Sequence, residues 1–298
     1  MPIPTDDAPL TVLVTGASSG IGRATGLELA GRGAHLVLMS RDRLSLEEAA
    51  TEMRAAGAAE VVVCAGDVTD EDSVRAAVTA ATGRFGRLDV VVHAAQVMAY
   101  GRIEDVPREV YETVVDTALH GTANLARVVL PVFRAQRAGH LAVVNSLLGN
   151  VTAPTMGSYV AAKWGQLGLV RTLQLETRDE PGISISIVQP GGVNTPIYSQ
   201  AASWTGNTGR PPPPVYSPFR VVRSVLSTLD RPRRVVQSGV FNPIITAGFR
   251  IVPGVYDLLV GPLLQQLAVS RDEVPPTPGN VLESKPSGNA TEGRWRSF

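Results

Sequence analysis

Tyr159 and Lys163 stand four positions apart in the segment SYVAAKWGQLGLV, which reads as helix. That spacing puts both side chains on one helix face. A free phenol titrates near pH ~10, too high to exchange protons readily at neutrality. A neighbouring ammonium favours the phenolate and draws its pKa down, so the pair is suited to general acid–base work. Taken alone the spacing is a weak signal, because Tyr-x-x-x-Lys is common on helix surfaces. Ser146, thirteen positions earlier, closes an apolar run. The carboxyl end of a strand is where ligands gather in parallel sheets.

A second constellation lies near the start of the chain. The run TVLVT leads into Thr15-Gly16-Ala17-Ser18-Ser19-Gly20-Ile21-Gly22, and a helical pattern follows. Glycines there let the backbone turn tightly and approach a pyrophosphate, which then sits at a helix N-terminus. A glycine turn with no ligand is the plain alternative; the strand before and the helix after favour the nucleotide. The next strand ends at Met39-Ser40-Arg41. An acidic residue near this point would bind the adenosine ribose of NAD(H). Ser40 is uncharged and Arg41 can pair with a 2′-phosphate, which favours NADP(H) over NAD(H). Asp42 next door would weaken that preference if it pointed the same way.

These residues need a frame to position them. Short β-branched runs at 11–15, 35–40, 60–65, 88–94, 141–146 and 183–188 alternate with helical patterns, and RVVQSG (234–239) makes a seventh. They are almost wholly apolar, as suits strands buried on both faces of a parallel sheet. Ser45 with Glu48, and more weakly Thr69 with Asp72, read as capping boxes that open helices. The alternation predicts an α/β fold, a doubly wound parallel seven-stranded sheet of the Rossmann type with helices on both faces. Residues 203–218, with Gly206, Gly209 and Pro211–Pro214, read as a loop, and a helix is expected near 219–229.

Four motifs now fall in order: TGASSGIG, Asp67-Val68 after the third strand, Ser146 with YVAAK, and PGGVNT from Pro190. Over roughly residues 11–200 the chain resembles the short-chain dehydrogenase/reductase family. The resemblance implies an oxidoreductase that interconverts a carbonyl and an alcohol, with Ser146, Tyr159 and Lys163 catalytic. Tyr159 would act as general acid in reduction and general base in oxidation. Lys163 would hold the nicotinamide ribose and depress the Tyr159 pKa, and Ser146 would orient the substrate oxygen. Gly16, Ser18, Ser19, Gly20, Ile21, Gly22 and Arg41 would bind the phosphate-bearing half of the cofactor, and Asp67 and Val68 the adenine. Ala94, Pro190, Val193 and Thr195 would border the nicotinamide. The family also implies a homodimer or homotetramer, paired through helices around 107–137 and 156–178.

Two positions depart from the family pattern. The usual Asn-Asn-Ala-Gly after the fourth strand is His93-Ala94-Ala95-Gln96 here. Gln96 would narrow or decorate the nicotinamide pocket, and His93 reads as a structural rather than a catalytic residue. The family's usual asparagine, part of a proton relay to the lysine, is replaced by Ala118. A backbone carbonyl with a water, Thr117 or His120 would have to substitute, or turnover would be slow. A nucleotide-binding regulatory or scaffold protein with weak or lost turnover is therefore the alternative function.

Composition narrows the remaining classes. Formal net charge is zero, with 27 basic and 27 acidic residues, so no nucleic-acid partner is expected. A single cysteine, Cys64, excludes an intramolecular disulfide and a thiolate metal cluster, and no metal site is expected. The first ten residues lack a basic region and an apolar stretch, so the expected location is cytoplasmic. Residues 1–240 are read as the catalytic domain and 241–270 as an apolar helical extension. Ile251, Val255, Leu258 and Leu259 have the spacing of a helix packed over the substrate cleft or against another subunit. A membrane-surface helix is less favoured, since Arg250 is the only nearby positive charge, and the prolines, Arg250 and Asp257 disfavour a spanning helix. Residues 271–298, rich in Pro, Gly, Ser and Asn, are expected to be disordered. The substrate is expected to be a moderately apolar small molecule.

Overall fold

The computed structural model describes residues 8–297. The first half runs β1 (Thr11–Thr15), α1 (Gly20–Ala30), β2 (His35–Ser40), α2 (Arg43–Ala55), β3 (Glu60–Ala65), α3 (Glu71–Phe85), β4 (Val90–His93) and β5 (Ala99–Tyr100). It continues with α4 (Arg108–Val115), α5 (Gly121–Gln136), β6 (Gly139–Val144), α6 (Gly157–Glu176) and β7 (Ile183–Pro190). The remainder is β8 (Ala202–Ser203), β9 (Asn207–Gly209), α7 (Pro218–Asp230), β10 (Val235–Ser238), α8 (Asn242–Ile251), α9 (Pro253–Leu267) and β11 (Val269–Glu273).

Seven strands form one parallel sheet in the order β10-β7-β6-β4-β1-β2-β3. The order reverses direction beside β1, which leaves a crevice at the carboxyl ends of β1 and β4. Successive strand residues point to opposite faces. Val12 and Val14 accordingly join Leu36, Leu38, Leu46 and Val222 on one side of the sheet. Leu13 joins Val37, Val91, Leu125 and Phe133 on the other. Two cores of this kind require strands apolar at every position, which is the pattern the sequence carries.

Helix starts differ from expectation. Asp42, not Ser45, caps α2 and accepts from the Ser45 amide at 2.7 Å. Asp70, not Thr69, caps α3 through the amides of Asp72 and Ser73. In both cases a carboxylate was available beside the hydroxyl, and its charge also complements the positive end of the helix. Between α4 and α5 residues Asp116–His120 form one π-helical turn. Such a turn carries an extra residue and changes the partners of its carbonyls, which matters below.

The apolar extension is two helices broken at Val252-Pro253, where proline removes a backbone donor and restrains its predecessor. Val255 and Leu259 line the central cavity, whereas Ile251 and Leu258 face outward, 77% and 74% exposed. The expected single packing face is thus split between two surfaces. No helix among the described residues is long and apolar enough to cross a membrane.

The stretch from Ser270 also differs from the expected disorder. It contributes most of β11, antiparallel to β9, and then crosses the molecule without regular structure. Thr277 pairs with Ser203, the Asn280 amide donates to Gln200, and Val281 is fully buried. Its composition removes helical and strand periodicity, yet its backbone groups find partners across the body of the protein.

Candidate active site

The carboxyl ends of the central strands open into a cavity of about 550 Å³. The turn after β1 forms its floor. Gly16 has φ +67°, and a Cβ there would come within 2.8 Å of the Ala95 amide. A Cβ on Gly22 would meet the Gly16 carbonyl at 2.2 Å. Gly22 does not line the cavity; it lets α1 approach the turn closely enough to shape it. Gly16, Ser18, Ser19, Gly20 and Ile21 do line it, together with Arg41, Asp67 and Val68 at the ends of β2 and β3. Ser40 presents a buried hydroxyl with no protein partner beside them. Turn, helix N-terminus, unpartnered hydroxyl and guanidinium fit the phosphates and ribose of a dinucleotide.

Asp42 points into the α2 cap, so it does not counter Arg41. Asp67 accepts from the Thr69 amide at 2.9 Å, and Asn124 donates to the carbonyls of Val68 and Thr69. Asn124 thus fixes the backbone that follows β3 at this end of the cavity, a role a helix asparagine does not announce in sequence.

The residues expected to do acid–base work occupy the opposite end. Ser146 ends the segment after β6, and Tyr159 and Lys163 project from the first turns of α6. Pro190 at the end of β7, Val193 and Thr195 after it, and Ala94 after β4 complete this end. Lys163 Nζ stands 5.7 Å from the Tyr159 ring centre. Burial pushes the Tyr159 phenol up to about 12, and Ser146 opposes part of that rise. Burial also pulls Lys163 down to about 7. The expected net depression of the phenol pKa is therefore not seen: desolvation of the buried hydroxyl outweighs the Ser146 hydrogen bond. The Tyr159 phenol is thereby kept protonated.

His93 is 1% exposed, shares a 2.8 Å hydrogen bond with Thr15 Oγ1, and is held neutral, near pKa 3, by burial and the nearby Lys163. That is the structural reading of this residue. Gln96 lines the nicotinamide end, donating to the Val97 carbonyl while its Oε1 is buried without a partner. Neither proposed substitute for the missing asparagine reaches Lys163. The Thr117 hydroxyl donates to the Thr113 carbonyl, and His120 is exposed against Asp116.

The rest of the cavity is apolar, with Val97, Met98, Leu148, Met156 and Ile197 on the body and Phe241, Val255 and Leu259 from the extension. Tyr256 closes its rim by donating to the Thr152 carbonyl at 2.8 Å. The last stretch of chain covers the glycine-turn end of the cavity as a strap. Arg41 donates to the carbonyls of Val281 (2.8 Å) and Asn280 (2.5 Å). The Gly20 amide and the Ser19 hydroxyl both donate to the Ala290 carbonyl. Trp295 anchors the far end through its amide on Asn194 and its ring on Tyr198.

A parallel sheet of this order with such a cavity defines a nucleotide-dependent enzyme of the Rossmann class, and residues 10–206 match the family model of short chain dehydrogenase. The chain belongs to the short-chain dehydrogenase/reductase family of oxidoreductases. It is 34% identical over 196 residues to sepiapterin reductase of Chlorobaculum tepidum, covering 63% of this chain and 80% of that one. It is 33% identical over 229 residues to the glycine betaine reductase ATRR of Emericella nidulans, covering 76% of this chain but only 18% of that protein. Among solved structures, a short chain dehydrogenase/reductase from Burkholderia phymatum in complex with NAD superposes with a TM-score of 0.72 at 25% identity, covering 85% of this chain and 96% of that one.

Proposed function

We propose that this protein is an NADP(H)-dependent reductase or dehydrogenase that interconverts a carbonyl and a secondary alcohol on an apolar substrate. One observation carries the reading: Ser146, Tyr159 and Lys163 share a single cavity with the glycine turn and Arg41. The bound nicotinamide supplies or accepts the hydride. Ser146 donates a hydrogen bond to the substrate oxygen and holds it against Tyr159. Tyr159 gives that oxygen its proton, the general-acid step, and recovers it in the reverse direction. Lys163 places positive charge behind the phenol and offers donors to the nicotinamide ribose. The apolar wall selects the substrate body and excludes water.

A panel of apolar ketones and alcohols, with NADPH, NADH and their oxidised forms, tests the assignment by absorbance of the reduced cofactor. Turnover of none of them, with intact cofactor binding, would favour a regulatory role instead. Association as a dimer or tetramer through residues 107–137 and 156–178 belongs to the same reading and is measured by sedimentation velocity.

Arg41 is the discriminating residue for the 2′-phosphate. Arg41→Ala is expected to raise KM for NADPH at least about tenfold, the scale of a lost charge-assisted hydrogen bond, and to leave KM for NADH within about twofold. Equal effects on both cofactors would place the phosphate elsewhere.

The strap uses the same donors as the dinucleotide phosphates. A chain ending at Ser287 keeps the buried Val281 but loses the Ala290 carbonyl. It is expected to bind NADP+ and NAD+ about fivefold more tightly by calorimetry, the scale of one or two released hydrogen bonds. Unchanged or weaker binding would show that the strap completes the site rather than competing for it.

A further inference from the structure

Lys163 is 1% exposed, and among the described residues no carboxylate pairs with it. An ammonium buried without an anion is costly unless every donor is well satisfied. Lys163 Nζ donates to the Val144 carbonyl at 3.1 Å and to Gln166 Oε1 at 3.0 Å. The first acceptor belongs to the sheet and would be present whatever the sequence. The second is a side chain one turn further along α6, itself 1% exposed.

The orientation of that amide follows from its neighbours. Gln166 Nε2 faces two acceptors, the Ala118 carbonyl at 3.2 Å and Thr122 Oγ1 at 2.9 Å. The Thr122 proton is committed to the Ala118 carbonyl at 2.6 Å, so its oxygen is free to accept. Gln166 Oε1 faces two groups that can only donate there, Lys163 Nζ and, at 2.9 Å, Asn145 Nδ2. Flipping the amide would set donor against donor on one side and acceptor against acceptor on the other. The Ala118 carbonyl belongs to the π-helical turn at 116–120. Turn, Thr122, Gln166 and Lys163 thus form one linked chain of hydrogen bonds that ends on the ammonium.

We propose that Gln166 is the positioning residue for Lys163, supplying from within α6 the tie between lysine and the residue-118 backbone that the Ala118 side chain cannot make. The proposal rests on the catalytic reading of Tyr159 and Lys163 given above. A hydrogen-bond acceptor on the ammonium favours the charged form of Lys163 and fixes it behind the phenol. An amide holds a charge without handing protons on, so this tie positions the lysine and carries no proton.

The chain has two lysines, Lys163 and the exposed Lys285, so the pKa of Lys163 can be read directly from its 13Cε shift in the cofactor-free protein. Gln166→Met is expected to lower the Lys163 titration by about 1–2 pH units, the scale of a lost hydrogen bond to a charged group. Gln166→Glu is expected to raise it, because an anion favours the ammonium. In parallel, the inflection of kcat/KM against pH for carbonyl reduction should move in the same two directions while KM for the cofactor changes little. A Lys163 titration unmoved in both variants, with activity following only the loss in Tm, would overturn the proposal and leave Gln166 a packing residue. If Gln166→Met does not fold, the Glu variant decides alone, since an upward shift supports the proposal and no shift overturns it. The NMR reading needs no turnover. An inactive wild type whose lysine still responds as stated would refute the catalytic reading of the pair and leave the positioning intact.

Discussion

Tyr159→Phe is expected to lower kcat for carbonyl reduction by about 10²- to 10⁴-fold, the usual contribution of a positioned general acid. The substitution removes one oxygen from a side chain that is 9% exposed and packs among Val114, Ala118, Met156 and Ala162. The ring keeps those contacts, so Tm should change by no more than a few degrees. Dinucleotide affinity should fall by no more than about fivefold, the scale of one lost hydrogen bond, because the ring's packing is unaltered. With the phenol pushed up to about 12 by burial, the wild-type group is protonated throughout the accessible pH range. Loss of rate should therefore be similar from pH 5 to 9 rather than confined to one limb. A variant that retains full turnover would refute the assignment of the proton donor, whatever the substrate.

The second large effect falls on Lys163, where activity and stability should move in opposite directions. Lys163→Met is expected to reduce kcat at least about 10²-fold, since the charge behind the phenol and the ribose donors are both lost. The same change should raise Tm at pH 6. Burial pulls the folded-state pKa from 10.5 down to about 7, so the folded protein holds the proton less tightly than the unfolded chain. Below pH 7 both states are charged and the full cost of burying the ammonium is present. Between pH 7 and 10.5 the unfolded chain binds more protons, so wild-type stability rises with pH and the cost fades. The advantage of methionine should accordingly be largest at pH 6 and shrink toward pH 10. Thermal denaturation of both proteins across that range measures it; an advantage that grows with pH would contradict the buried-charge argument.

The sheet was legible because its strands are buried on two faces, and runs such as HLVLMS are apolar at nearly every position. The residues expected to surround the cofactor and substrate were legible for a different reason: glycine turns and strand ends are fixed by local geometry. What sequence could not show were partners chosen by the third dimension. Asp42 and Ser45 both qualify as caps on paper, and only the trajectory of the chain selects the carboxylate. Gln166 reads as an ordinary polar helix position until α6 is laid against the turn at 116–120. The pKa of Tyr159 was misjudged because i, i+4 spacing reveals the neighbouring charge and conceals the depth of burial. The chain after Ser270 was misread because composition reports on regular structure, not on whether a backbone finds acceptors and donors elsewhere.

The strap has a consequence in the order in which the protein is made. Ser19 and the Ala290 carbonyl that covers it are 271 positions apart. At roughly 5–20 residues per second, the glycine turn is translated about 14–54 s before its cover. Throughout that interval the Ser19 hydroxyl and the Gly20 amide have no acceptor from the strap. If dinucleotide phosphates take these donors as proposed, the finished protein would first have to release its own backbone, and the nascent one would not.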